Sequence, residues 1–173
     1  MLPLIVSDQF IPSGYMGDGT TPGAINLLPQ TPADSQTCNG NRSMPALGIC
    51  YTVTYAPIVG GMAWGGVYWQ YPQGNWGASP GLSIQAGATQ VTVWAKGGVG
   101  GEVVTFVAGG IMGAANADTF NVSSKVTLTA AWAQYSVKLP AMYGPVLGGF
   151  AWSAAAPAGG RSVSFSVDSI EWH

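Results

Sequence analysis

Apolar and polar residues alternate with period two throughout the chain, and no window gathers its apolar positions on one helical face. ICYTVTY (49–55) sets Ile49, Tyr51, Val53 and Tyr55 against Thr52 and Thr54. TQVTVWAKG (89–97) sets Val91 and Val93 against Thr92 and Trp94, while EVVTFVAGG (102–110) is apolar on both faces, as a central strand would be. KVTLTAAW (125–132) and QYSVKL (134–139) alternate again, with Tyr135, Val137 and Leu139 inward. RSVSFSVDSIEW (161–172) is the clearest strand, its Val163, Phe165 and Val167 separated by serines. YPQGN, ASPG, KGGVGG, AGGIMG and APAGG punctuate these runs as turns. Short strands at this spacing predict an all-β fold, a two-sheet antiparallel β-sandwich of the jelly-roll kind. Residues 1–45 read as the loop-rich N-terminal part of that domain, with one or two short strands. The expectation is one domain over 1–173.

Composition narrows the setting. Charged residues make up 7% of the 173 residues, against a typical figure of about 25%. No apolar run approaches the ~18 residues of a spanning helix, because Gly, Thr, Ser or Gln interrupts every few positions. The five cations (Arg42, Lys96, Lys125, Lys138, Arg161) are scattered singly along the sequence. Without a basic stripe, nucleic acid is a poor partner, and a strongly anionic polysaccharide is disfavoured less firmly. Cys38 and Cys50 enclose a turn-rich segment; paired, they would stabilise the fold by ~3 kcal/mol, and two buried thiols are the alternative. Low charge, a disulfide and many aromatics suit an extracytoplasmic protein, secreted or at the cell surface. Met1-Leu-Pro-Leu-Ile-Val is too short for an export signal; the expectation is a mature chain started by an added Met1.

Candidate chemistry is sparse. The one histidine, His173, is the last residue, where fraying is expected, so a Ser–His–Asp or Cys–His site is disfavoured. The acids Asp8, Asp18, Asp34, Glu102, Asp118, Asp168 and Glu171 form no local pair. Asp168 and Glu171, three apart on a strand, are expected on opposite faces, and Glu102 reads as a solvated rim residue. A lyase or hydrolase would have to draw on Glu102, Asp118 and Asp168. A Ca2+ site would draw on Asp8, Asp18 and Asp168 if the first and last strands were neighbours. Against this, Asp18 in Gly-Asp-Gly is an ordinary turn former.

The aromatic stretch WGGVYWQYPQGNWG (64–77) carries more information. Five of its fourteen residues are aromatic and none is charged. Alternation puts Val67, Trp69 and Tyr71 in the core, with Tyr68 and Gln70 on the opposite face. Trp94 is a further contributor to that face. Trp64 and Trp76 flank the strand in glycine-rich turns. Exposed rings beside Gln70 and Asn75 suit sugar recognition, where rings stack on a pyranose and amides bond hydroxyls in both senses.

FIPSGYMGDG (10–19), CYTVTYAP (50–57), VYWQYPQGNWG (67–77) and FSVDSIEW (165–172), taken in order, resemble secreted bacterial β-jelly-roll domains of the carbohydrate-binding-module type, in the galactose-binding-domain-like group. The resemblance implies a non-catalytic domain that binds a polysaccharide or glycan on a sheet face or edge loops. It also implies a structural calcium, held by an N-terminal segment and an acid in the last strand; Asp168 matches the latter. The expected ligand-binding residues are Trp64, Tyr68, Gln70, Asn75, Trp76 and Trp94. The alternative is a structural or self-assembling surface protein, favoured by sparse charge and abundant glycine.

Overall fold

The computed structural model describes residues 1–30 and 48–173. Its strands are β1 (Leu4–Ile5), β2 (Ile11–Gly17), β3 (Ile25–Gln30), β4 (Cys50–Tyr55), β5 (Trp64–Gln70), β6 (Gln90–Gly97), β7 (Val103–Gly109), β8 (Asn121–Thr127), β9 (Ala133–Lys138), β10 (Gly148–Ala155) and β11 (Val163–Trp172). They form two antiparallel sheets. One has five strands in the order β2-β5-β10-β7-β8; the other has six, β3-β4-β11-β6-β9, with β1 paired to β11. The expected all-β sandwich is the observed fold. β4 pairs with β11 as far as Val167, and β1 takes over the same strand at Glu171 and Trp172.

The core lies between the sheets. Val67, Trp69, Phe106, Phe150 and Trp152 of the five-stranded sheet pack against Tyr51, Val53, Tyr55, Val91, Val93, Phe165 and Val167 of the other. Trp69 meets Tyr51 edge-on with centroids 5.3 Å apart, and Trp152 meets Phe165 at 5.1 Å. Trp172 Nε1 donates to the Gly149 carbonyl at 2.8 Å, a hydrogen bond that also crosses from sheet to sheet.

Three expectations need correction. The first 30 residues hold three strands, not one or two, and β2 is seven residues long. Its register shifts between Pro12 and Gly14, which hides the alternation from a sequence reading. Asp168 and Glu171 share one face rather than opposing each other. The pairing of β11 with β6 slips between them, and Ser169 takes φ 44°, so one extra residue reverses the side-chain parity. Val163, Phe165 and Val167 point inward before this bulge, Ile170 and Trp172 after it. His173 is not frayed: its backbone exchanges hydrogen bonds with Gln90, and its ring lies 3.0 Å from Thr92 Oγ1. Of the expected disulfide, Cys50 is buried at the start of β4, and Cys38 lies outside the described residues.

The edge strands are blunted. β2 carries Pro12, β3 carries Pro29, β8 carries Lys125 and β9 carries Lys138. Proline removes a donor, and lysine resists stacking against another chain. The protein is therefore expected to run as a monomer in sedimentation across a hundredfold range of concentration; a concentration-dependent rise in mass would restore the self-assembling alternative.

Candidate functional site

β5 sorts the aromatic stretch as its alternation requires. Val67 and Trp69 are fully buried in the core, and Tyr71 packs against it from one end. Trp64, Gly66 and Tyr68 occupy the outer face of the five-stranded sheet. Gly66 lets the chains approach closely there: a Cβ at this position would lie 2.5 Å from the Trp152 carbonyl oxygen and 3.0 Å from Met16 Cε. Tyr68 belongs to a second apolar cluster with Ile111, Leu147 and Ala151, flanked by Met16 and Val107. Trp76 covers it edge-on, with ring centroids 6.0 Å apart and an interplanar angle of 85°. Tyr68 thus keeps 7% of its surface exposed, whereas Trp76 keeps 46%. Burial first, and then the charge of Asp118, push the Tyr68 phenol up to about 12.

Gln70 and Asn75 differ from expectation. Both are buried, because the YPQGN turn folds back over them. Gln70 Nε2 donates to the Asn75 carbonyl at 3.0 Å, and its Oε1 accepts from Ser13 Oγ at 2.8 Å. Asn75 Nδ2 donates to the Tyr71 and Ser79 carbonyls, while its Oδ1 accepts from the Gly77 and Ser79 N–H groups. These amides bond the protein itself, and so fix the turn that presents Trp76. Trp94 is also separated from the others. It pairs with Asp168 in the six-stranded sheet, in the same parity as Thr92 and opposite to the buried Val91 and Val93. It therefore lies on the far side of the sandwich from Trp64, Tyr68 and Trp76.

A groove that the sequence reading missed opens at the Trp64 end of the same face. Its volume is about 820 Å³, and Trp64, Val103, Thr105, Lys125, Ser153 and Arg161 line it. That volume is in the range of small-molecule sites. Register explains the grouping. Ser153 pairs with Thr105, Thr105 pairs with Lys125, and Trp64 pairs with Ala155, so strands distant in sequence present one floor. The loops after β6 and β10 form its rim. Strand parity could have suggested the row, but strand order could not be read from the sequence.

The candidate acids among the described residues do not gather at one site. Asp18 follows β2 and is buried; its Oδ2 accepts from Tyr55 Oη at 2.7 Å and from the Ile58 N–H, and its Oδ1 accepts from the Met62 N–H at 2.6 Å. The Tyr55 hydrogen bond holds its carboxyl below the usual range, with help from the two N–H groups and against its desolvation. Asp118 is buried under the Tyr68 cluster and accepts from the Ile111, Leu147 and Gly148 N–H groups; burial nonetheless pushes its carboxyl up. Asp168 is buried on β11, and its Oδ1 accepts from the Ser169 N–H at 2.7 Å. Glu102 is half-buried rather than solvated, with Oε1 accepting from the Val99 N–H at 2.9 Å. Asp8 is exposed in the turn between β1 and β2. Among the described residues no three His, Cys, Asp or Glu side chains converge on a metal position. Asp8, Asp18 and Asp168 do not come together as the expected calcium ligands, and both oxygens of Asp18 already accept protein donors. These residues do not fit a calcium ion, which takes six to eight oxygen ligands. Glu102, Asp118 and Asp168 are likewise dispersed over a rim loop, the base of an apolar cluster and the opposite sheet.

No protein-family model and no curated protein sequence matches the chain. Solved structures do. A family 30 carbohydrate-binding module is similar with a TM-score of 0.57 and 16% identity, over 100% of this chain and 99% of that one. The family 30 module of a cellulosomal cellulase of Clostridium thermocellum gives 0.56 and 15%, over 100% and 98%. A family 11 module of another cellulosomal cellulase of that organism gives 0.50 and 12%, over 98% and 92%. The chain has the β-sandwich fold of carbohydrate-binding modules. At these identities the likeness concerns the fold alone.

Two consequences are measurable. Asn75→Ala strands two N–H groups and two carbonyls in the turn, so unfolding in urea should show a loss of about 2 kcal/mol. Asp18 has a depressed folded pKa, so the stability it adds is present above the ordinary aspartate value and is lost as pH falls through the folded pKa. Asp118, with its raised pKa, acts in the opposite direction. Melting temperature should therefore drop less steeply on acidification in Asp18→Asn than in the parent protein; equal slopes would remove Asp18 from the acid response.

Proposed function

We propose that this protein is a non-catalytic glycan-binding module, secreted or displayed at the cell surface, whose ligand lies along the outer face of the five-stranded sheet. The observation that carries this reading is the placement of Trp64, Tyr68 and Trp76 on one face that runs into an open groove. Trp64 and Tyr68 are four residues apart on one strand, a span of about 13 Å, and Trp76 extends the row beyond Tyr68. The apolar face of a sugar ring stacks on such rings, as any apolar plane does on an aromatic. Hydroxyls of the sugar then bond Thr105 and Ser153 on the groove floor. Tyr68 supports Trp76 more than it touches ligand, and Gln70 and Asn75 act by holding the turn. The shared fold with carbohydrate-binding modules supports the same reading. A Cys38–Cys50 disulfide would suit an extracytoplasmic setting.

A printed array of neutral and acidic oligosaccharides tests it, followed by titration calorimetry on the hits. Trp64→Ala and Trp76→Ala should each weaken binding by about tenfold or more, equivalent to ~1.4 kcal/mol. Trp76→Ala should cost stability only about 1 kcal/mol, the scale of one aromatic pair. EDTA should leave the titration unchanged, because among the described residues the acids do not assemble a calcium site. An empty array, or full affinity in both tryptophan variants, would refute the reading.

A further inference from the structure

The five cations are single and scattered in the sequence, yet Lys125 and Arg161 line the same groove as Trp64. Lys125 reaches it from edge strand β8, through the register that links it to Thr105 and Ser153. Arg161 reaches it from the loop between β10 and β11, just before Val163. Both are exposed, and among the described residues neither forms an ion pair. Among the described residues the one carboxylate of the groove lining is Glu102. Its Oε1 bonds the Val99 N–H within its own loop, and its Oε2 is buried without a hydrogen-bond partner. That leaves one aromatic ring, two hydroxyl-bearing floor residues and two unpaired cations around a cavity of sugar size.

We propose that the groove selects an acidic glycan, one whose sugar ring carries a carboxylate or a sulfate, with Lys125 and Arg161 as the anion-binding pair and Trp64 as the stacking ring. The proposal rests on the glycan-binding reading above and specifies its ligand class. Charge complementarity is the reason. A neutral sugar can accept hydrogen bonds from the two cations through its hydroxyls, but an anionic substituent adds ion pairing and makes both partners of each hydrogen bond charged. Arginine's planar fork suits the two oxygens of a carboxylate or sulfate, and the lysine ammonium supplies a second charge without fixed geometry. The total charge of −2 does not oppose this, because the field that matters is local to the groove.

The test is titration calorimetry with three probes: an oligogalacturonide, a sulfated galactan oligosaccharide and a neutral cello-oligosaccharide. The parent protein should bind at least one acidic probe about tenfold or more tightly than the neutral one, and that affinity should fall as salt is raised from 50 to about 500 mM. The double variant Lys125→Gln, Arg161→Gln should bind acidic and neutral probes with affinities within about threefold of each other, the acidic preference being lost; its melting temperature should match the parent's, since both side chains are exposed. The stronger acidic probe distinguishes carboxylate from sulfate. Equal affinity for neutral and acidic probes, or an acidic preference that survives the double variant, would overturn the charge assignment and leave glycan binding intact. A protein that binds none of the three probes and no sugar on the array loses both readings.

Discussion

The contact on which the remainder depends is the edge-to-face packing of aromatic rings across the two sheets. Trp69 against Tyr51 and Trp152 against Phe165 join β5 and β10 of one sheet to β4 and β11 of the other. Rings of this size bury much apolar area, and their perpendicular geometry fixes how the sheets stack. β5 and β10 are neighbours near the middle of the five-stranded sheet, so anchoring their inner faces also sets the height and angle of their outer faces. Trp64, Tyr68 and Ser153 are held in place by residues buried between the sheets.

Buried polar groups complete that support. Gln70, Asn75, Asp18 and Asp118 each secure a turn or loop. Asn75 and Gln70 tie down the turn that carries Trp76, Asp18 gathers the Ile58–Met62 segment, and Asp118 collects three N–H groups beneath Tyr68. A side-chain amide or carboxylate can satisfy several backbone groups at once, which loops need because they lack a ladder of partners. In a chain with so few charges, these residues stand out in the sequence as candidate ligands. Their hydrogen bonds assign them to the scaffold.

Much of the aromatic stretch was legible beforehand, because strand parity is a local property. Val67 and Trp69 fall inward and Tyr68 outward for a reason that any single strand obeys. Exposure was not legible. Tyr68 is outward yet covered, since Trp76 and Ile111 fold onto it from other segments. The bulge at Ser169 was also invisible: a serine in an alternating run gives no sign of a left-handed φ, and the parity error it causes reverses the relation of Asp168 to Glu171.

The sequence by itself determined the two-sheet sandwich, the inward set of residues on most strands and the presence of rings left over for the surface. Those follow from period-two alternation and turn chemistry, which act over a few residues. Only the tertiary structure decided that Trp64 and Trp76 share a face while Trp94 lies on the other side. It alone dispersed Asp8, Asp18 and Asp168, and brought Lys125 and Arg161 to one groove. Those relations depend on which strands pair and in what register, and pairing partners here are separated by up to the length of the chain. Side-chain alternation says which way a residue points; only strand order says what it points toward.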